Sequence, residues 1–349
     1  MMALQFSDSG RQFPAQRISP GAVDNWQSKM ACRVCGNTEG NRAFAVNEVM
    51  FELGRRHDYF QCGSCMTIQI RTLPVNRESL YPRGYFSFES SPPAGMPRFR
   101  FRESLIARFI SLPSFEARGK WFDLLTRFEL SDHPMEAVGR LRLPMSSKIL
   151  DVGSGSGKLL RKLRLKGYQS LTGVDPFLNV EPETEEIRVL RAGIEDLPPA
   201  AKFDLVILWH SLEHTIDPID TMNRVRSHLE EGGIALIAMP VVGHTFNHFG
   251  TAWFQLDPPR HIHLFSEKGF SLAAAKAGLK IVDTHYDSVA SQFRLSARIR
   301  EGRSIVSVKP WEDLIAMLFS RREAQWRALA RTLNRAHEGD QAVYYLTGS

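Results

Sequence analysis

The chain has 349 residues, 43% of them hydrophobic, a net charge of +6 and four cysteines. That length sets an expectation of two domains plus extensions, with enough apolar residues for a full core. No apolar run reaches the roughly 18 residues of a membrane-spanning helix, and Met1–Arg17 has no apolar secretory segment. The expected location is therefore cytoplasmic, and the modest positive charge permits an anionic partner without requiring nucleic acid.

Residues 1–29 are polar, with Gly10, Pro14, Pro20 and Gly21 scattered through them, and read as a poorly ordered tail. Cys32 and Cys35 follow, then 26 residues, then Cys62 and Cys65. Two close thiolate pairs suit a tetrahedral zinc site, and the metal supplies folding energy that a segment as short as 30–80 lacks. Sulfur fills all four positions, so the zinc is expected to be structural; disulfides are the weaker reading in a reducing compartment. Arg55, Arg56 and His57 lie between the pairs and read first as a solvated hairpin tip, and second as a nucleic-acid contact. No cysteine lies beyond Cys65, which argues against methylation through a covalent cysteine–pyrimidine adduct.

Residues 81–145 are expected to form a helical linker. Ser90–Gly95 is a loop. Arg98, Arg100 and Arg102 alternate with Phe99 and Phe101 ahead of a helix through Leu105, Ile106 and Phe109, and Gly119–Phe128 is a second helical stretch. The arginines read as a solvated face, with a phosphate-bearing acceptor or a peripheral membrane contact as the functional alternative.

Lys148–Leu163 organises the rest. Ile149, Leu150 and Val152 form a short apolar run of the buried parallel-strand kind. Gly153, Gly155 and Gly157 then turn the chain into a helix with Leu159, Leu160 and Leu163 on one face. Asp151 stands at the strand's carboxyl end, where open α/β sheets bind ligands, and Leu171–Val174 is a second strand ending in Asp175, about 20 residues on. An acid, then G-x-G-x-G, then a second acid closing strand two resembles the class I S-adenosylmethionine-dependent methyltransferases.

The resemblance implies an α/β fold: a Rossmann-like seven-stranded sheet with helices on both faces over 146–349, preceded by the small zinc ribbon. It implies S-adenosylmethionine as cofactor, held by Asp151, Gly153, Gly155, Gly157 and Asp175, with helices before the first strand covering the pocket. Strand three is Ile187–Leu190. The following Gly193–Pro198 corresponds to the loop beside the adenine ring, with Ile194 packed on the ring and Glu195 or Asp196 near its amine.

Phe203–Trp209 is strand four, and Asp217 caps the next helix with Pro218 at its first position. In class I folds the residues after this strand, His210 onward, face the sulfonium and the acceptor. The Asn/Asp-Pro-Pro-aromatic motif of base-amine methyltransferases is absent there; Asp257-Pro258-Pro259 lies after the fifth strand. Leu212-Glu213-His214 instead resembles small-molecule types. His214 is either a general base or a brace for the helix.

Strand five is Ile234–Met239. His244–Ser266 is too long for a simple connection and is rich in aromatic, His and Arg groups, so it reads as a functional loop. Its Phe-Gly, Trp, Leu-Asp-Pro-Pro-Arg-His and Leu-Phe elements resemble a bacterial subgroup associated with surface glycans. Trp253 and Phe254 offer faces to an acceptor, Arg260 offers a grip on phosphate or carboxylate, His261 or His263 offers a base, and Asp257 is placed in the same acceptor pocket. The alternative is structural: Asp257 and Arg260 pin the loop and one histidine is a buried donor. No neat spacing marks these histidines as a metal site.

Ser266 caps a helix ended by Gly278, Lys280–Tyr286 is strand six, and Gln341–Thr347 is strand seven. Residues 289–338 form a helical excursion between those two strands. The function expected is methyl transfer to a hydroxyl of a sugar, glycan or other small molecule. The rivals are an RNA or protein methyltransferase, a non-catalytic cofactor-binding module, and a nicotinamide-dependent oxidoreductase, which the glycine spacing disfavours.

Overall fold

The structure is a computed structural model and describes residues 30–51, 54–74, 80, 132–178, 187–305 and 320–349. The tail, the Arg98–Arg102 cluster and the helices expected before Phe128 lie outside the described residues.

Three strands open the chain: β1 (Arg42–Asn47), β2 (Arg56–Gln61) and β3 (Ile68–Ile70). Helix α1 (His133–Arg140) leads into β4 (Lys148–Val152), α2 (Lys158–Leu165), β5 (Ser170–Val174), β6 (Arg188–Leu190) and β7 (Phe203–Trp209). Next come α3 (Pro218–Ser227), β8 (Leu229–Pro240), α4 (His244–Phe249), β9 (His263–Leu264) and α5 (Glu267–Lys276). The chain closes with β10 (Leu279–Tyr286), α6 (Ala290–Arg300), α7 (Arg321–Arg335) and β11 (Gln341–Gly348).

Seven strands form one sheet in the order β10-β11-β8-β7-β4-β5-β6. Pairing is parallel from β8 through β7, β4 and β5 to β6, and β11 runs antiparallel to both its neighbours. This is the seven-stranded sheet, with one strand antiparallel, that the sequence resemblance implies. From Leu205 onward β7 is apolar because both faces are covered, and Leu205, Val206, Ile207 and Leu208 are fully buried. One face packs Leu160 and Leu163 of α2, the other Met222 and Val225 of α3 and Phe270 of α5. Asp217 caps α3 as expected, its Oδ1 accepting from the Ile219 and Asp220 amides at 3.1 and 2.9 Å. Strand five is longer than expected, because Leu229–Gly233 extends it ahead of Ile234.

A second sheet has the order β1-β2-β3-β9, and its last strand comes from the long loop after β8. β3 pairs with β9 through Ile68–Leu264 and Gln69–His263. The cysteine-bearing segment is thus stitched to the loop, and a third core cluster joins Tyr59 and Ile68 to Trp253, Leu264, Phe293 and Leu333.

Candidate functional site

β4 and β7 lie side by side at the centre of the sheet, and the order reverses there, so their carboxyl ends open a crevice. A cavity of about 910 Å³ fills it. Among the described residues its wall includes Gly153, Asp175, Ile194, Glu195, His210 and His261.

The glycine turn is built for close approach. Gly153 has φ +79°, and a Cβ there would sit 2.6 Å from Ser211 Cβ. Asp175 ties the turn to the second strand: its Oδ2 accepts from the Gly155 amide at 3.0 Å and its Oδ1 from Phe177 at 2.9 Å. Asp175 therefore reaches the cavity with its carboxylate already oriented. Gly155 and Gly157 shape the turn from behind the wall. Asp151 is buried beneath it, and desolvation, then the nearby Asp175 charge, push its carboxyl up to about 7. In the third loop the Asp196 carboxylate accepts from the Gly193 amide at 2.8 Å, which leaves Glu195 as the acid on the wall.

At the other end, strand β7 runs out at His210, a non-glycine residue with φ +50°. Backbone in that region clusters at functional sites. Glu213 follows in a short turn and is 1% exposed. Burial pushes its carboxyl up, but the hydrogen bond from His210 and the neighbouring imidazoles outweigh this and hold it at about 2. An ionised carboxylate only accepts, so His210 Nδ1–H donates to Glu213 Oε1 at 3.2 Å, which makes Nε2 the ring nitrogen able to take a proton. Glu213 received no role from the sequence; the signal was its place three residues after a histidine that closes a central strand.

His214 and His261 also line the cavity. Their rings meet edge to face with centroids 4.8 Å apart. Each donates its Nδ1–H to a carbonyl: His214 to Arg260 at 2.9 Å, His261 to Gln255 at 2.6 Å. Burial and the neighbouring His261 charge lower His214 to about 4, so at neutral pH it is a poor proton acceptor.

Three expected acceptor contacts are corrected. Arg260 is 1% exposed and off the cavity wall. Its guanidinium is taken up by both Asp257 oxygens, by Glu48 at 3.1 Å, and by the Phe51 ring. It pins the loop, which was the structural alternative. Trp253 is also 1% exposed, because its indole N–H donates to Asp340 at 3.0 Å and turns the ring into the core. His263 sits in β9 with no exposure, and its Nδ1–H donates to the Thr215 carbonyl at 3.2 Å. Asp257 does reach the wall, as does Phe254.

The four cysteine sulfurs cluster, with Cys32–Cys65 and Cys35–Cys62 each 3.6 Å apart. Tetrahedral Zn–S bonds of about 2.3 Å place sulfurs roughly 3.8 Å apart, so the set fits zinc. Amides of Cys35, Ser64 and Cys65 point at Cys32 and Cys62 sulfurs at 3.4 to 3.5 Å, as donors to thiolates do.

Residues 115–284 match the family described as a methyltransferase domain. A tRNA U34 carboxymethyltransferase of Shewanella woodyi is 33% identical over 123 residues, 32% of this chain and 37% of that protein. One from Tolumonas auensis is 28% identical over 142 residues, 35% of this chain and 44% of its own length. The chain thus spans less than half the length of these curated relatives. A solved methyltransferase from Geobacter sulfurreducens, in complex with S-adenosyl-L-homocysteine, is 14% identical. It superposes with a TM-score of 0.39 over 63% of this chain and 92% of its own.

Proposed function

We propose that this chain, a methyltransferase domain on a class I sheet, moves a methyl group from S-adenosylmethionine to an oxygen of a small acceptor, a sugar or glycan hydroxyl by first choice. One observation carries the reading: a single cavity joins the glycine turn and Asp175 at one end to His210 and His261 at the other, with buried Glu213 bonded to His210 off the wall. The cofactor supplies an electrophilic methyl on a sulfonium. Asp175 would hold its ribose diol, the bare main chain at Gly153 its aminoacyl part, and Ile194 and Glu195 its adenine. His210, oriented by Glu213, takes the acceptor's proton on Nε2 as the new C–O bond forms. The buried carboxylate then stabilises the imidazolium. Cys32, Cys35, Cys62 and Cys65 would hold a structural zinc. A cavity of about 910 Å³ is large enough for cofactor and a small acceptor together.

The relatives' name favours a second reading, an acceptor within tRNA. Arg55 and Arg56 stand exposed at the start of β2, where a phosphate backbone would meet them. Methyl-labelled cofactor incubated with fractionated cell extract separates the readings. Label in glycan or small-molecule fractions is the expected result. Label in RNA supports the second reading, and cofactor binding with label nowhere leaves a binding module.

A further inference from the structure

Behind His210 lies a set of donors that proton transfer alone does not explain. Glu213 uses Oε1 for His210, while its buried Oε2 has no hydrogen-bond partner among the described residues. His261 Nε2 stands 4.0 Å from Glu213 Oε1. Because His214 and His261 both donate Nδ1–H to main-chain carbonyls, Nε2 is the nitrogen that each ring would offer to a metal. One ligand atom each from Glu213, His214 and His261 lie within 4.8 Å of one another. A buried carboxylate oxygen thus lies in one cluster with a nitrogen from each of two imidazoles, an arrangement that a cation among them relieves.

The geometry points to a divalent transition-metal site of the zinc class formed by Glu213, His214 and His261 at the acceptor end of the cavity. Metal-bound histidines hold their second ring nitrogen against a carbonyl or carboxylate, and both histidines already do so. The carbonyl under His214 belongs to Arg260, which its two carboxylates immobilise. Ligands at about 2.0–2.2 Å stand roughly 3–3.5 Å apart, so loading draws the three groups together by on the order of 1 Å. Three protein ligands leave a coordination position open toward the cavity, as catalytic sites do and the four-sulfur site does not. On the transferase reading above, on which this role rests, an acceptor hydroxyl at that position is made more acidic and passes its proton to His210.

The test counts metal in the full chain after saturation with Co²⁺ and desalting. Two ions per chain are expected for the wild type, and one for Glu213→Gln and His261→Gln. All three proteins should keep the thiolate-to-cobalt charge-transfer band of the cysteine site, which also reports that the variants are folded. A wild type holding one ion with that band at full strength overturns the inference without any variant. So does a variant that keeps two. Calorimetry with S-adenosylhomocysteine on the same samples separates the two readings. One ion with cofactor bound sinks the metal site alone; two ions with no cofactor bound sink the transferase alone.

Discussion

The two ends of the cavity are built on different principles. At the cofactor end, each contact is local or spans one strand–helix unit: Asp175 reaches Gly155, and Asp196 reaches Gly193. At the acceptor end, the contacts cross the chain. Tyr59 Oη donates to the His261 carbonyl at 2.8 Å, Arg260 meets Glu48, and Trp253 meets Asp340. Residue type in a regular turn therefore reports a role directly. In a long loop it reports only a capacity, and a distant partner decides how that capacity is used.

The comparison can be broken first at His210. His210→Asn removes the proton acceptor and leaves the turn at Gly153 untouched. Turnover should fall about 10²–10⁴-fold with the cofactor dissociation constant unchanged. A variant with wild-type turnover removes His210 from the chemistry.

A second break falls on Arg260. Replacing it with methionine strands two buried carboxylates, Asp257 and Glu48, and should cost about 3–5 kcal/mol of stability in denaturant unfolding. Had Arg260 gripped a substrate instead, the loss would appear in acceptor KM with little change in stability.

The smallest effect sharpens the cofactor end. Asp151 has its folded value raised to about 7, above the roughly 4 of an unfolded aspartate. Protonation is thus favoured by folding. The stability from this group is complete below about pH 4 and is lost as pH rises through about 7. Asp151→Asn stays neutral throughout, so the melting point of the wild type should decline relative to the variant between about pH 5 and pH 8. Parallel curves contradict the assignment.

These differences explain what the sequence could disclose. The strands of the large sheet leave apolar runs in the local pattern, and their order is what the family resemblance implies. The cysteine cluster follows from spacing. The pairing of β3 with β9 left no mark, because two residues of strand carry no periodicity. Glu213 was hidden for another reason. Its importance comes from complete burial among three imidazoles, and burial at the end of a strand is not written in the residues beside it. His210 and His214 both follow the same strand, and only the fold shows that Glu213 bonds to the first of them.

The proposed function rests on the glycine turn and Asp175 forming a binding site for a sulfonium nucleoside. Calorimetric titration of the full chain with S-adenosylmethionine and S-adenosylhomocysteine tests it. Saturable heat at one site per chain, lost or weakened at least about tenfold in a folded Asp175→Ala variant, is the result expected from the loss of charge-assisted hydrogen bonds to the ribose. Absence of heat with either ligand, or equal affinity in the variant, contradicts it.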